Sequence, residues 1–247
     1  MARFDAMHTN RAPNRSLLLA SLLALAGAAP ASAAQVVVVD EGTFTLSIAG
    51  ARAGREDFSI RRSTAVEGGF IGQGTVLRGE NRTVVALSTD SAGTPLRFLS
   101  ERFVTGRSVE NVSGEFRRGL WSGRAVVAGG ESAREFRLPQ PVVAADDGVV
   151  HEAWFLLRFA ARPVARQLLP RSLTLRDLVI EEAGADSVAI GQDVLPARKW
   201  VLRAAPGGAI LREVWTDGRG RLLRVRFPAE DLEALRDEIP PETVTPP

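Results

Sequence analysis

The stretch Glu213-Val-Trp-Thr-Asp-Gly-Arg-Gly-Arg-Leu-Leu-Arg-Val-Arg-Phe-Pro228 decides the fold. Asp217-Gly218 is a strong turn signal. After it, Leu223, Val225 and Phe227 alternate with Arg224 and Arg226 at period two. That is a hairpin with an apolar face toward a core and a charged face toward solvent or cross-strand acids such as Glu213. With Arg212 the segment gathers five arginines, so a basic binding site has to be weighed against one charged face of a sheet.

The same grammar extends outward. Phe44, Leu46 and Ile48 alternate with Thr43, Thr45 and Ser47, and Phe58 and Ile60 alternate with Asp57, Ser59 and Arg61. Further strands are expected at Phe70–Leu77, Arg82–Ser88, Leu96–Phe103, Arg107–Phe116, Leu120–Ala128 and Ser132–Leu138. The short Gly- and Asp-rich connections between them suit antiparallel hairpins rather than crossovers. From Val150 the spacing of Val150, Trp154, Leu157 and Ala161 predicts a helix near 149–161, with Asp146 or Asp147 as its cap. Strands resume at Ser172–Glu181, Ser187–Gly191, Ala197–Arg203, Ile210–Thr216 and Arg221–Phe227, and Ala229–Glu238 reads either as a short helix or as an edge strand. The expected fold is therefore mainly β, an antiparallel, strongly curved sheet with one packed α-helix.

The first residues do not belong to that fold. Arg3, Arg11 and Arg15 precede the apolar run Leu17–Gly27, and Ala31-Ser32-Ala33 follows. A basic start, a short apolar core and an A-x-A site describe a secretory signal peptide, residues 1–33, cleaved after Ala33. The run is too short for the roughly 20 residues that a bilayer requires, so no membrane span is expected after cleavage. Residues 34–238 form one β-rich domain, and the proline-rich 239–247 is expected as a disordered tail. The implied location is the periplasm or the exterior of a Gram-negative cell.

Cleavage also settles the charge. The full chain carries 31 Lys+Arg and 29 Asp+Glu, and loss of Arg3, Arg11, Arg15 and Asp5 leaves 28 of each. A nucleic-acid partner requires a basic excess that this chain lacks, and the arginines of Glu213–Pro228 read as one charged sheet face. With no cysteine the core needs to be held by packing, for which the mature length is ample.

The opening Gly42-Thr-Phe-Thr-Leu46, the repeat of glycines at Gly50 and Gly54, and the closing Trp215-Thr-Asp217-Gly-Arg-Gly220-Arg-Leu-Leu223 resemble a group of exported bacterial proteins of unknown function. Their chains curl into a long, incomplete antiparallel barrel, distantly similar to periplasmic lipoprotein-carrier-like half-barrels. The resemblance implies a concave apolar surface able to hold an acyl chain.

Catalytic chemistry has little to draw on. His151 is the sole mature histidine, and no G-x-S-x-G elbow accompanies it. No second histidine or cysteine completes a zinc site, neither Asp146-Asp147-Gly148 nor Asp217-Gly218 continues at calcium-loop spacing, and Lys199 is a lone strand lysine. No enzyme activity, metal or cofactor is expected. The ligand-binding candidates are Phe44, Leu46, Phe58, Phe98, Trp154 and Trp200. A filled core and a cavity for an apolar ligand demand the same alternation, so both stay open. The expected function is non-catalytic binding or shuttling of a lipid-like ligand in the concavity. The alternative is an envelope adaptor that docks a protein through a sheet face or edge.

Overall fold

The structure, a computed structural model, describes residues 36–63, 68–127, 129–138, 141–205 and 207–242. The expected signal peptide with its cleavage site at Ala33 lies outside these, as does the end of the expected tail, residues 243–247. Fifteen strands form one sheet. The first half holds β1 (Val36–Ile48), β2 (Ala51–Ser63), β3 (Phe70–Arg78), β4 (Asn81–Thr89), β5 (Pro95–Val104), β6 (Arg107–Arg117), β7 (Leu120–Val127) and β8 (Gly130–Arg137). The second holds β9 (Val142–Ala144), β10 (Ala165–Leu169), β11 (Thr174–Ile190), β12 (Asp193–Ala204), β13 (Ile210–Thr216), β14 (Leu222–Phe227) and β15 (Leu232–Arg236). Between β9 and β10 lies α1 (Glu152–Leu157).

The spatial order runs from β8 back to β1, then β15 back to β9. Each half is an antiparallel meander, and only β9 and β10 pair in parallel. The halves join where β1 pairs with β15, so the ambiguous segment 229–238 becomes a central strand after a single 3-10 turn at Pro228–Glu230. Tight hairpins follow from local chemistry. Ala49-Gly50, Thr105-Gly106 and Arg118-Gly119 all take positive φ at both residues, the two-residue turn whose twist matches its strands.

The end strands β8 and β9 are not hydrogen-bonded to one another, so the barrel is incomplete. Its curl nevertheless brings distant parts together. The Leu173 side chain, after β10, packs at Gly123 of β7, and Arg134 of β8 donates to the Leu173 carbonyl at 3.5 Å. Register shifts interrupt the β1–β2, β4–β5, β5–β6, β11–β12, β12–β13 and β13–β14 pairings, and such bulges sharpen bend and twist.

One main core fills the concave side. Phe44, Leu46, Ile60, Leu87, Phe98, Val112 and Trp121 of the sheet meet Val142–Ala145, Val150 and Phe155 of the crossing segment, all essentially without solvent contact. Glycines set the depth of this packing. A Cβ at Gly72 would lie 2.5 Å from Phe155, one at Gly74 2.5 Å from His151, and one at Gly114 2.0 Å from Trp121.

Several expectations are corrected here. The helix is six residues long rather than spanning 149–161. It has no single apolar stripe: Glu152–Leu156 are all buried, while Ala161 is exposed. The helix lies inside the half-barrel, surrounded on every side. Ser172–Glu181 and Ser187–Gly191 belong to one strand, β11, in which a bulge between Glu182 and Gly184 disguises continuity. Across that bulge the buried residues change sides. Leu178 and Ile180 join the main core, whereas Val188 and Ile190 pack with Ala197, Trp215 and Leu223 in a second, smaller cluster. Leu223 thus leaves the face of Val225 and Phe227, because the shift between Trp215 and Thr216 makes it the unpaired residue opposite β13. Finally, Pro240 is buried and the Pro241 carbonyl accepts from Arg221 at 2.5 Å, so the residues just after 238 pack against the sheet.

Candidate functional site

The structure brings five of the six ligand-binding candidates into the main core. Phe44, Leu46 and Phe98 have no exposure, and Phe58 and Trp154 have very little. The Phe44 and Phe58 rings stack at 5.1 Å, Phe58 lies 6.3 Å from the His151 ring, and Trp154 packs at 5.1 Å against both Phe70 and Phe155. Trp200 sits at the margin, half-buried, with its indole N–H donating to Thr216 Oγ1 at 3.2 Å. Phe58 meets His151 of the crossing segment 142–162, to which Trp154 itself belongs, and the chain's own side chains pack against Phe44, Leu46 and Phe98.

Where that segment enters its helix, the interior turns polar. Glu56 of β2 is wholly buried and accepts from the Val150 amide, the His151 amide and His151 Nδ1 at 2.8, 2.8 and 2.7 Å. Glu56, not Asp146 or Asp147, therefore serves the amides at the helix entrance; the aspartates precede Gly148, a left-handed residue (φ +76°), and turn elsewhere. Asp146 accepts from the Arg171 amide at 3.1 Å, and its own amide donates to Glu152 at 2.6 Å. Asp147 takes both ends of Arg176 at 2.6 and 3.0 Å. Arg212, 1% exposed, reaches the Asp146 carbonyl and lies 3.4 Å from Asp147. Gln167 donates to the Ala145 carbonyl at 2.5 Å.

Burial governs the ionisation of this cluster. It pushes Asp146 up to about 6, against the pull of the Arg171 amide and charge. Burial, reinforced by Asp146, holds Glu152 well above the usual carboxylate range, and burial lowers Arg212. At Asp147 burial acts upward, but Arg176 and Arg212 outweigh it and the net shift is downward. Sequence reasoning missed Glu56 and Arg212. Their signal was parity: Glu56 shares the inward alternation of Phe58 and Ile60, and Arg212 that of Val214.

Beside this loop the mouth of the half-barrel is open. A pocket of about 450 Å³ has Val76 and Val149 as its apolar floor, with Arg78, Arg102, Arg171, Asp147 and Glu230 on its walls. Arg102 and Arg171 both hold Glu110, at 3.0 and 2.6 Å. Arg78 donates to the Gly148 carbonyl at 2.9 Å and lies 3.8 Å from Glu230. A second depression of about 490 Å³ lies on the convex face of β5–β8, between Leu99, Arg124 and Glu135. Neither is lined by any of the six candidates, although Phe58 borders a further depression of about 400 Å³ with Asp57, Gln73 and Val84.

The arginines of Glu213–Pro228 are dispersed rather than gathered. Arg212 is interior, Arg221 pairs with Asp217 at 2.7 Å, Arg224 with Glu233 at 2.7 Å, and Arg226 lies 3.9 Å from Glu213 across the strand pair. Arg224 also covers the Trp215 ring at 4.7 Å. The turn itself spans 217–221, and its left-handed residue is Gly220 rather than Gly218.

The open edge strand β8 is exposed along nearly its whole length and carries Glu131, Arg134, Glu135 and Arg137, charges of the kind that discourage indiscriminate strand addition. Among the described residues no group of three or more His, Cys, Asp or Glu is arranged for a metal ion, and no helix is long and apolar enough to cross a membrane.

No protein-family model and no curated protein matches the chain. Among solved structures it is similar to a β-barrel-like protein of a domain of unknown function, DUF1849, from Brucella abortus. The likeness has a TM-score of 0.51 at 12% identity and covers 82% of this chain and 96% of that one. At that identity the likeness is one of fold, a mainly β, barrel-like architecture.

Proposed function

We propose that this chain is an exported, non-catalytic binding protein of the Gram-negative envelope that takes a lipid-like ligand at the mouth of its half-barrel. The observation that carries this reading is the mouth pocket, apolar at its Val76–Val149 floor and charged on its walls, next to an interior closed by the chain itself. An amphiphile matches that division: its apolar part meets the floor and its polar part the arginines. A filled interior supports binding at the rim over shuttling within the concavity. Export is supported by the basic start, apolar run and Ala31-Ser32-Ala33 of the sequence, and kinship with lipoprotein-carrier half-barrels rests on the sequence pattern. A non-catalytic role is supported by His151, whose ring is wholly buried against Glu56 and out of reach of a substrate.

The test is expression of the full chain in a Gram-negative host, followed by native mass spectrometry of the periplasmic fraction. The expected product begins at Ala34 and carries an amphiphile that is lost on Val76→Glu. A protein that stays in the cytoplasm, or one that retains no amphiphile and takes up none from detergent or lipid, would end this reading.

A further inference from the structure

We propose that the mouth pocket binds a phosphate or phosphate-ester group, held by Arg78, Arg102 and Arg171. The inference rests on the reading above for the ligand's place and adds the chemistry of its polar end.

Three guanidinium groups converge on one pocket of about 450 Å³ from separate parts of the chain: the end of β3, the outer half of β5, and the turn between β10 and β11. Two of them are fixed from behind. Glu110 is 6% exposed and offers one oxygen to Arg102 Nε at 3.0 Å and the other to Arg171 Nε at 2.6 Å. The hydrogen bond through Nε sets the plane of the Arg102 guanidinium and leaves its terminal nitrogens for a ligand, while the close ion pair holds Arg171 beside the same carboxylate. Arg78 is steadied through one terminal nitrogen by the Gly148 carbonyl, while its ion pair with Glu230 is long at 3.8 Å. Groups held in place before the ligand arrives lose less freedom on binding it.

The charge favours an anion. Asp147 shares the wall, yet Arg176 and Arg212 both pair with it. The lining itself carries Arg78, Arg102 and Arg171 against Asp147 and Glu230, with Glu110 behind two of the arginines and Arg176 and Arg212 behind Asp147. The number of donors narrows the class further. A single guanidinium satisfies a planar carboxylate, whereas several around one point match the oxygens of a tetrahedral oxyanion. Asn81 and Thr83 line the same pocket and add an amide and a hydroxyl.

The experiment titrates purified mature protein by calorimetry with inorganic phosphate, and separately with vesicles of phosphatidylglycerol. Single variants Arg78→Gln, Arg102→Gln and Arg171→Gln are compared with Arg124→Gln on the convex face. Each pocket variant should weaken binding roughly tenfold, the loss of one charge-assisted contact, and Arg124→Gln should leave it unchanged. Arg78 lies outside the Glu110 bridge, so Arg78→Gln keeps the test decisive if the other two variants fail to fold. Binding of both probes, each weakened by the variants, supports the site. Binding of vesicles alone supports it with a lipid headgroup as the source, and binding of phosphate alone supports it with free phosphate as the source. No binding of either probe, or binding indifferent to all three substitutions, overturns it. An uncharged amphiphile retained by the protein with no response to either probe also overturns it, and leaves the proposed function standing.

Discussion

His151 Nδ1 lies 2.7 Å from Glu56 Oε1, and both side chains are wholly shielded from solvent. The two residues come from the central part of the sheet and from the entrance to the only α-helix among the described residues. Through this pair, and through the two amides that the same carboxylate accepts, β2 fixes where the crossing segment enters the half-barrel. Removing the carboxylate orphans three buried donors at once. Glu56→Ala should therefore destabilise the protein by about 3 kcal/mol or more, since each buried donor left unsatisfied costs about 1–3 kcal/mol. Urea unfolding at neutral pH measures this, and an unchanged midpoint would mean that the segment is anchored elsewhere.

The seating of that segment also depends on the absence of side chains opposite it. Gly72 and Gly74 occupy inward positions of β3, where an added methyl would meet Phe155 and His151 at 2.5 Å. Gly72→Ala and Gly74→Ala should each cost about 1–3 kcal/mol through overpacking. Gly130→Ala in β8 provides the comparison, since a Cβ there meets nothing within 4 Å. Thermal unfolding of the three variants tests the claim, which fails if all three melt alike.

The junction of the two meanders has its own fastening. Arg236 of β15 donates to Asp40 of β1 at 2.7 Å and to the Leu222 carbonyl at 2.9 Å, and Asp40 accepts the Leu222 amide at 2.9 Å. Arg236 also reaches the Glu41 carbonyl, and Gly42 leaves room for its guanidinium, which a Cβ would approach to 2.9 Å. Either Asp40→Ala or Arg236→Ala alone leaves a buried charge without its partner and should cost about 3–5 kcal/mol. In the double variant the penalties should be far from additive. A double-mutant cycle in guanidinium chloride measures the coupling, and additive losses would show that the pair does not act as a unit.

Much of this architecture was legible because its strands obey period two. Phe44 and Leu46, or Val225 and Phe227, announce an inner face directly. Alternation fails at a bulge, which is why β11 read as two strands and Leu223 was placed on the wrong side. It also says nothing of which strands meet, so the central position of Leu232–Arg236 was invisible. The helix lies within the expected 149–161 but is shorter, because a helix buried on nearly every side carries no single stripe to mark its ends. The candidate pocket was hidden for a different reason. Arg78, Arg102 and Arg171 look like ordinary strand and turn arginines until the curl of the sheet brings them together with Glu110. Five of the six apolar candidates belong to the main core and Trp200 lies at its margin, but alternation cannot distinguish a face that lines a cavity from one that meets the chain's own helix.

The buried carboxyl beside that helix sets a pH dependence with a definite sign. Asp146 titrates near 6 in the folded protein because burial disfavours its charge, against about 3.9 in an unfolded chain. Between these values the unfolded chain has released the proton that the folded one keeps, so this residue makes stability fall as pH rises from about 4 to about 6, with the full penalty present above that window. Glu152, also raised by burial and by Asp146, acts in the same direction. Asp40, raised by burial, acts in the same direction, and the carboxylates held down by partners, Glu131, Asp147, Asp177 and Asp186, act oppositely and chiefly below about pH 4, but all of these are common to parent and variant. In Asp146→Asn an amide oxygen can still accept the Arg171 amide while the charge is gone. The variant should therefore gain stability relative to the parent progressively across that window and hold the gain at neutral pH. Denaturant unfolding of both proteins at several pH values between about 4 and 7 tests this, and a difference that stays constant across the series would rule out Asp146 as the titrating group.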